Sequence, residues 1–231
     1  MAYANPLGIP VERTMVIACA TVIEEMQAWL PPEMRRQVLE FGLHSHPAKL
    51  TTALQAAIDE AQDVDLFLLG YGLCSRAVVG LKSNHATLVI PRTDDCIAIF
   101  LGSRTAYREQ ADSQPGTYYL TKGWIEVGDT PFADFNRLAQ RHGEEKAIEL
   151  TKMMLEHYTR LAFINTGTYD LERFREYAQR TADKFGLRYE EIAGAPALVK
   201  KLIFGPWDDE VVVCPPGGTL RDDHFIRFDD L

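Results

Sequence analysis

No apolar run in these 231 residues approaches the roughly 20 that a membrane-spanning helix needs, which argues against an integral membrane protein. A basic excess is also missing. Lys and Arg number 24 against 33 Asp and Glu, for a net charge of −9 at pH 7. Such a chain lacks the cationic face that a nucleic-acid backbone requires, and it offers no electrostatic grip on an anionic lipid surface. The first twenty residues, MAYANPLGIPVERTMVIACA, carry no basic stretch followed by an apolar core and a cleavage site. A cytoplasmic location is therefore the expectation.

Cysteine is scarce and never paired in sequence. The four residues, Cys19, Cys74, Cys96 and Cys214, form no CxxC motif, so a zinc knuckle or a ferredoxin-type loop has no local signature. In a reducing compartment they are thiols or metal ligands rather than disulfides. Nucleotide motifs are absent too. Gly70-Tyr71-Gly72 and Gly217-Gly218 match neither GxGxxG nor GxxxxGK[ST]. There is no GxSxG elbow, no HExxH helix, no internal repeat and no low-complexity segment.

What is present is an alternation of apolar runs and helical patterns. Residues 14–20, 37–42, 66–69 and 87–90 read as strands, separated by the helical stretches 21–30 and 50–61 and by a short helix after Cys74. Leu66–Leu69 is wholly apolar, as a central parallel strand covered on both faces should be. No hairpin turn joins these strands, so the pairing should be parallel. After a connecting segment at 114–131, residues 132–158 carry helical periodicity throughout and predict one long helix. Strands at 161–165, 187–192 and 210–214 then alternate with helices at 171–185 and 195–204. The expected fold is α/β, a mostly parallel sheet with helices on both faces, Rossmann-like and built from two βα halves. Those halves would be 1–113, carrying the cysteine site, and 132–231.

Ligand sites in such sheets lie beyond the carboxyl ends of the strands. The residues there are Cys19, His44 with His46, then Tyr71, Cys74, Ser75 and Arg76, then Arg92, Asp94, Asp95 and Cys96. Three thiols and an imidazole from four strand ends suit a tetrahedral zinc site or an iron–sulfur cluster assembled by the fold. The bland reading is that each cysteine is a small buried hydrophobe, which fits Cys19 inside MVIACA and Cys214 after Val211-Val212-Val213. Cys74 and Cys96 lie in polar turns, where packing explains them less well. Each should sit near a helix N-terminus, where the dipole favours the thiolate.

At these residues the sequence resembles a bacterial and archaeal family called domain of unknown function 1638. The matching stretches are IACA around Cys19, LHSHPAKL around His44, GYGLCSRAVVGL around Cys74 and IPRTDDCIAIFLGSR around Cys96. GTYYLTKGWIE, FINTGTYD and GPWDDE extend the resemblance over almost the whole chain. The chain departs from the usual form at His46 and in carrying Ser75 rather than glycine after Cys74, while the three cysteines are intact. The resemblance implies an association with corrinoid-dependent methyl transfer.

Two functions are carried forward. The first is a metal-binding protein, with zinc or an iron–sulfur cluster held by Cys19, Cys74, Cys96 and a fourth ligand, His44. An open metal position would then activate a thiol or methyl acceptor, with Tyr71, Ser75, Arg76, Arg92, Asp95 and Arg104 binding an anionic small-molecule substrate. The second is a non-catalytic accessory protein that binds a corrinoid, a corrinoid protein or a methyltransferase partner.

Overall fold

The computed structural model describes residues 3–127, 130–167 and 170–226. In chain order, β1 (Thr14–Cys19) leads to α1 (Ala20–Met26), β2 (Arg35–Leu39), α2 (Pro47–Glu60), β3 (Leu66–Gly70) and β4 (Thr87–Pro91). Next come α3 (Ile97–Leu101), α4 (Arg104–Ser113), β5 (Thr117–Leu120), α5 (Lys122–Val127), α6 (Pro131–His142) and α7 (Glu144–Met154). β6 (Arg160–Asn165), α8 (Glu172–Phe185), β7 (Arg188–Ala193), α9 (Ala197–Phe204) and β8 (Val211–Cys214) complete the regular structure. Among the described residues, no helix is long and apolar enough to cross a membrane.

A five-stranded sheet runs in the order β2-β1-β3-β4-β8, with the first four strands parallel and β8 antiparallel to β4. A separate three-stranded parallel sheet runs β5-β6-β7. This is the mixed α/β, mostly parallel, Rossmann-like fold that the rhythm of the sequence predicts. β1, β3 and β4 are buried at every position, which is why they read as unbroken apolar runs. β2 lies at the edge, with Arg36, Gln37 and Val38 exposed; charge on an edge strand discourages pairing with another chain. β3 must end in glycine. A Cβ on Gly70 would lie 2.7 Å from the Ala18 Cβ and 3.1 Å from Val22 Cγ1, leaving no room for any side chain.

The contacts divide the chain into one unit of Met1–Arg104 with Ala195–Leu231 and a second of Thr105–Gly194. This differs from the halves at 113 and 132 expected from sequence. The last segment returns to the first unit because β8 pairs with β4, through Val89↔Val213 and Ile90↔Val212. A pairing so distant along the chain leaves no mark in local periodicity.

The second unit packs around aromatic side chains. Phe132, Phe135, Phe163, Phe174 and Phe185 are buried together, with Tyr118 edge-on to Phe132 at 5.0 Å between ring centres. Arg160 is 2% exposed and joins the strands by donating to Thr117 Oγ1 at 2.8 Å, Glu190 Oε2 at 3.1 Å and Gln110 Oε1 at 2.9 Å. The single helix expected over 132–158 is two helices. Gly143, at φ 83° and ψ 158°, takes a conformation open essentially only to glycine and separates α6 from α7.

Candidate thiol site

The five-stranded sheet has its topological switch point between β1 and β3. The chain leaves β1 to one side to form β2, then crosses back to form β3 and β4 on the other. The carboxyl edge at that point is where doubly wound sheets place their ligands. Cys19 is the last residue of β1 and is buried, its Sγ 3.2 Å from Thr21 Oγ1. Ala18 pairs with Gly70, so the next residue of the β3 chain, Tyr71, comes level with Cys19. Tyr71 is 4% exposed.

The two polar cysteine turns are bonded to each other. Past the end of the β3–β4 ladder, Leu73 N–H donates to the Thr93 carbonyl at 2.7 Å and Cys74 N–H to the Asp94 carbonyl at 2.9 Å. Gly72 permits this approach, since a Cβ there would lie 2.7 Å from Thr93 Oγ1 and 2.9 Å from Asp95 Cα. The short helix expected after Cys74 does not form. Held extended through residue 73 by the other turn, the chain enters a left-handed bend, with Cys74, Ser75 and Arg76 at φ 47°, 54° and 69°. Three consecutive non-glycine residues in that region store backbone strain, of the kind that accumulates at functional sites. Cys96 does stand at a helix start, capping α3, whose five residues are all buried.

The three thiols share one environment. Burial, and then the Asp95 carboxylate and Cys19, push the Cys74 thiol up to about 12, against a backbone hydrogen bond at Gly72 that lowers it. Burial likewise pushes Cys96 well up, with Cys19, Cys74 and Asp95 adding to the effect. Tyr71 is raised by burial and then by the same three cysteines. Asp95 is lifted to about 6 by burial, with Asp94 adding, although the Ile97 N–H donates to its Oδ1 at 2.8 Å. Burial outweighs the hydrogen bonds that favour charge here, so without a bound cation Cys74 and Cys96 stay protonated at neutral pH. Among the described residues, no three His, Cys, Asp or Glu side chains are gathered as the ligands of a metal ion would be.

The other residues expected at the site divide. Arg104 is buried at the start of α4, with its Nε 3.9 Å from Asp94 Oδ2, and Arg92 is half-buried beside the start of β8, its N–H donating to the Glu210 carbonyl at 2.7 Å. Arg76 turns outward to pair with Asp222 at 2.6 Å, and Ser75 is exposed beside it. His44 is exposed in the turn before α2, where its Nδ1 lies 2.6 Å from the Phe41 carbonyl and its ring 4.3 Å from the Phe41 ring. Nothing there directs it toward the thiols. Cys214 pairs with Leu88 in the antiparallel β8, which carries it to the opposite edge of the sheet, buried. Thr21, Gly72 and Thr93 were not singled out as supports of the site by sequence. The glycines of Gly70-Tyr71-Gly72 are a visible signal, but their purpose is close backbone packing rather than phosphate binding.

The family model described as "Protein of unknown function (DUF1638)" matches residues 38–203, and the chain belongs to that family. No curated protein and no solved structure matches the chain.

Proposed function

We propose that this member of the DUF1638 family is a metal-binding protein whose first unit holds an iron–sulfur cluster through Cys19, Cys74 and Cys96. The observation that carries the reading is the convergence of three thiols, from the ends of β1, β3 and β4, at the switch point of the sheet. The raised pKa values of Cys74 and Cys96 fit groups that become thiolates only when a cation arrives. Zinc and a cluster differ in the sulfur spacing they need. Tetrahedral zinc with bonds of roughly 2.3 Å would bring its sulfurs to within about 4 Å of one another. A cluster spreads its thiolates wider, to about 6–7 Å by simple geometry.

Three thiols fill three of the cluster's four ligand positions, and His44 is not placed to supply the last. The open position would let the site bind a small molecule as well as carry electrons, with Asp95, Arg92 and Arg104 as polar groups beside the Cys96 turn. Metal, iron and sulfide analysis of anaerobically purified protein tests the reading. Near-stoichiometric iron and sulfide should be found, and lost in Cys19→Ala, Cys74→Ala and Cys96→Ala. Cys214→Ala, at the far edge of the sheet, should retain both. Metal-free wild-type protein overturns the reading, and zinc in place of iron replaces the cluster with a single-ion centre.

A further inference from the structure

We propose that residues 217–225, the segment after β8, form a releasable strap, and that its lifting lets the strained bend at Cys74, Ser75 and Arg76 relax and opens the Cys74 turn. The device belongs to the fold and does not depend on a bound centre. The three residues of the bend are left-handed, at φ 47°, 54° and 69°. Strain of this kind persists only where the surroundings hold it in place. The entry to the bend is held by the two backbone bonds to Thr93 and Asp94. The exit, residues 77–83, is held first by α2. Thr51 Oγ1 donates to the Ala77 carbonyl at 2.7 Å, while Gln55 donates to the Lys82 carbonyl at 3.0 Å and accepts from the Lys82 N–H at 3.1 Å. The strap then runs antiparallel along the same stretch. Gly217 N–H donates to the Ser83 carbonyl at 2.7 Å, and Thr219 bridges Lys82. Leu220 accepts from the Gly80 N–H at 2.8 Å and donates to the Leu81 carbonyl at 2.9 Å. Asp222 reaches the bend itself, pairing with Arg76 at 2.6 Å.

Of these holds the strap is the lightest. Within residues 215–226 only Leu220 and Phe225 are buried, whereas β1, β3 and β4 are buried throughout. Arg76 and Asp222 are both exposed, and an exposed ion pair contributes little. Segments with few buried contacts open locally while the rest of the chain stays folded. The bend also has a conformation to relax into. The residues after Cys74 have ordinary helical composition, and each non-glycine residue that leaves the left-handed region for the right-handed one sheds strain. Two states follow: strap seated with the bend left-handed, and strap lifted with the bend right-handed.

The test uses full-length, metal-free, reduced protein and two substitutions at Ser75, an exposed position. Glycine takes left-handed backbone without strain, while alanine favours the right-handed helix. Ser75→Gly should therefore keep the strap seated, and Ser75→Ala should lift it. Alkylation of Cys74 by iodoacetamide, located by mass spectrometry, should run roughly tenfold or more faster in Ser75→Ala than in Ser75→Gly. Hydrogen exchange at the Gly80, Gly217 and Leu220 amides, which donate between strap and exit, should follow the same order. In each protein those amides should exchange faster than the amides of β1, β3 and β4. Equal Cys74 rates in the two variants overturn the proposal. So does a Ser75→Ala protein in which Cys74 reacts faster while Gly217 and Leu220 exchange as slowly as before, since the bend would then move without the strap. Strap amides as slow as those of the central strands also overturn it, because the segment would then open only with the whole unit. Should Ser75→Ala fail to fold, wild type against Ser75→Gly carries the same comparison, at a ratio of about threefold.

Discussion

A carboxyl group and a glycine illustrate what holds the thiol site in shape. Asp95 titrates at about 6 in the folded chain, where burial disfavours its charge. In the unfolded chain it ionises in the ordinary carboxylate range, near 3.9. Between those values the unfolded chain gives up the proton first, so metal-free stability falls as pH rises from about 4 to about 6, then levels off. Asp95→Asn keeps an acceptor for the Ile97 N–H and removes the titration. It should leave stability unchanged at pH 3 and raise it by about 1–3 kcal/mol above pH 7, an upper range because Asp95 is only half-buried. Denaturant midpoints measured across pH check this; a gain of equal size at pH 3 would mean that charge is not the cause. Gly72 contributes differently. Its φ is not left-handed, but a Cβ there would press into Thr93 and Asp95 at under 3 Å. Gly72→Ala should cost roughly 1–3 kcal/mol by overpacking. It should also lower cluster retention, since the Leu73–Thr93 and Cys74–Asp94 bonds set the distance between the two cysteine turns.

Element by element, the sequence is most legible where one periodicity acts alone. β1, β3 and β4 stand out because strands buried on both faces must be apolar throughout, and α2 because Leu50, Leu54, Ala57 and Ile58 line one face. The placement of Cys19, Cys74 and Cys96 at strand ends follows from those strands, which makes half of the site readable before any coordinates. Two helices misled for physical reasons. The stretch after Cys74 has ordinary helical composition, but two backbone bonds to the neighbouring turn hold its entry extended, and tertiary pairing outweighs local propensity. The stretch from 132 to 158 keeps apolar spacing on either side of Gly143, so the pattern persists through a break made by a single backbone angle. His44 is a candidate ligand from its place at the end of the second strand, and in the structure its ring lies against Phe41 of its own turn. Gly143→Ala tests the break. A Cβ there meets nothing within 4 Å, so any effect is backbone strain alone. The expected loss is about 1–3 kcal/mol in denaturant unfolding of the second unit, with iron content unchanged.

At the scale of the whole molecule, the proposed site belongs to one unit, and its metal affinity should be coupled to protons rather than to the second unit. Cys74 and Cys96 are protonated in the metal-free protein and must be thiolates to bind, so loading releases their protons. Apparent affinity should therefore rise steeply with pH below the thiol pKa values, by about tenfold per unit for each proton released. Chelator competition at several pH values gives that slope, and a slope near zero would mean that the thiols are not the ligands. Stability should move the opposite way. Cys74 is raised from about 9 to about 12 on folding, so the metal-free chain binds this proton more tightly when folded. Its contribution is full below about pH 9 and fades as pH climbs through about 12. Comparing metal-free wild-type protein with Cys74→Ala isolates that term from the tyrosines and lysines that titrate in the same range. The wild type should lose stability faster than the variant above pH 9. If the metal-free curves run parallel through the alkaline range, burial does not raise the Cys74 thiol, and the proton-coupled loading argued here fails with it.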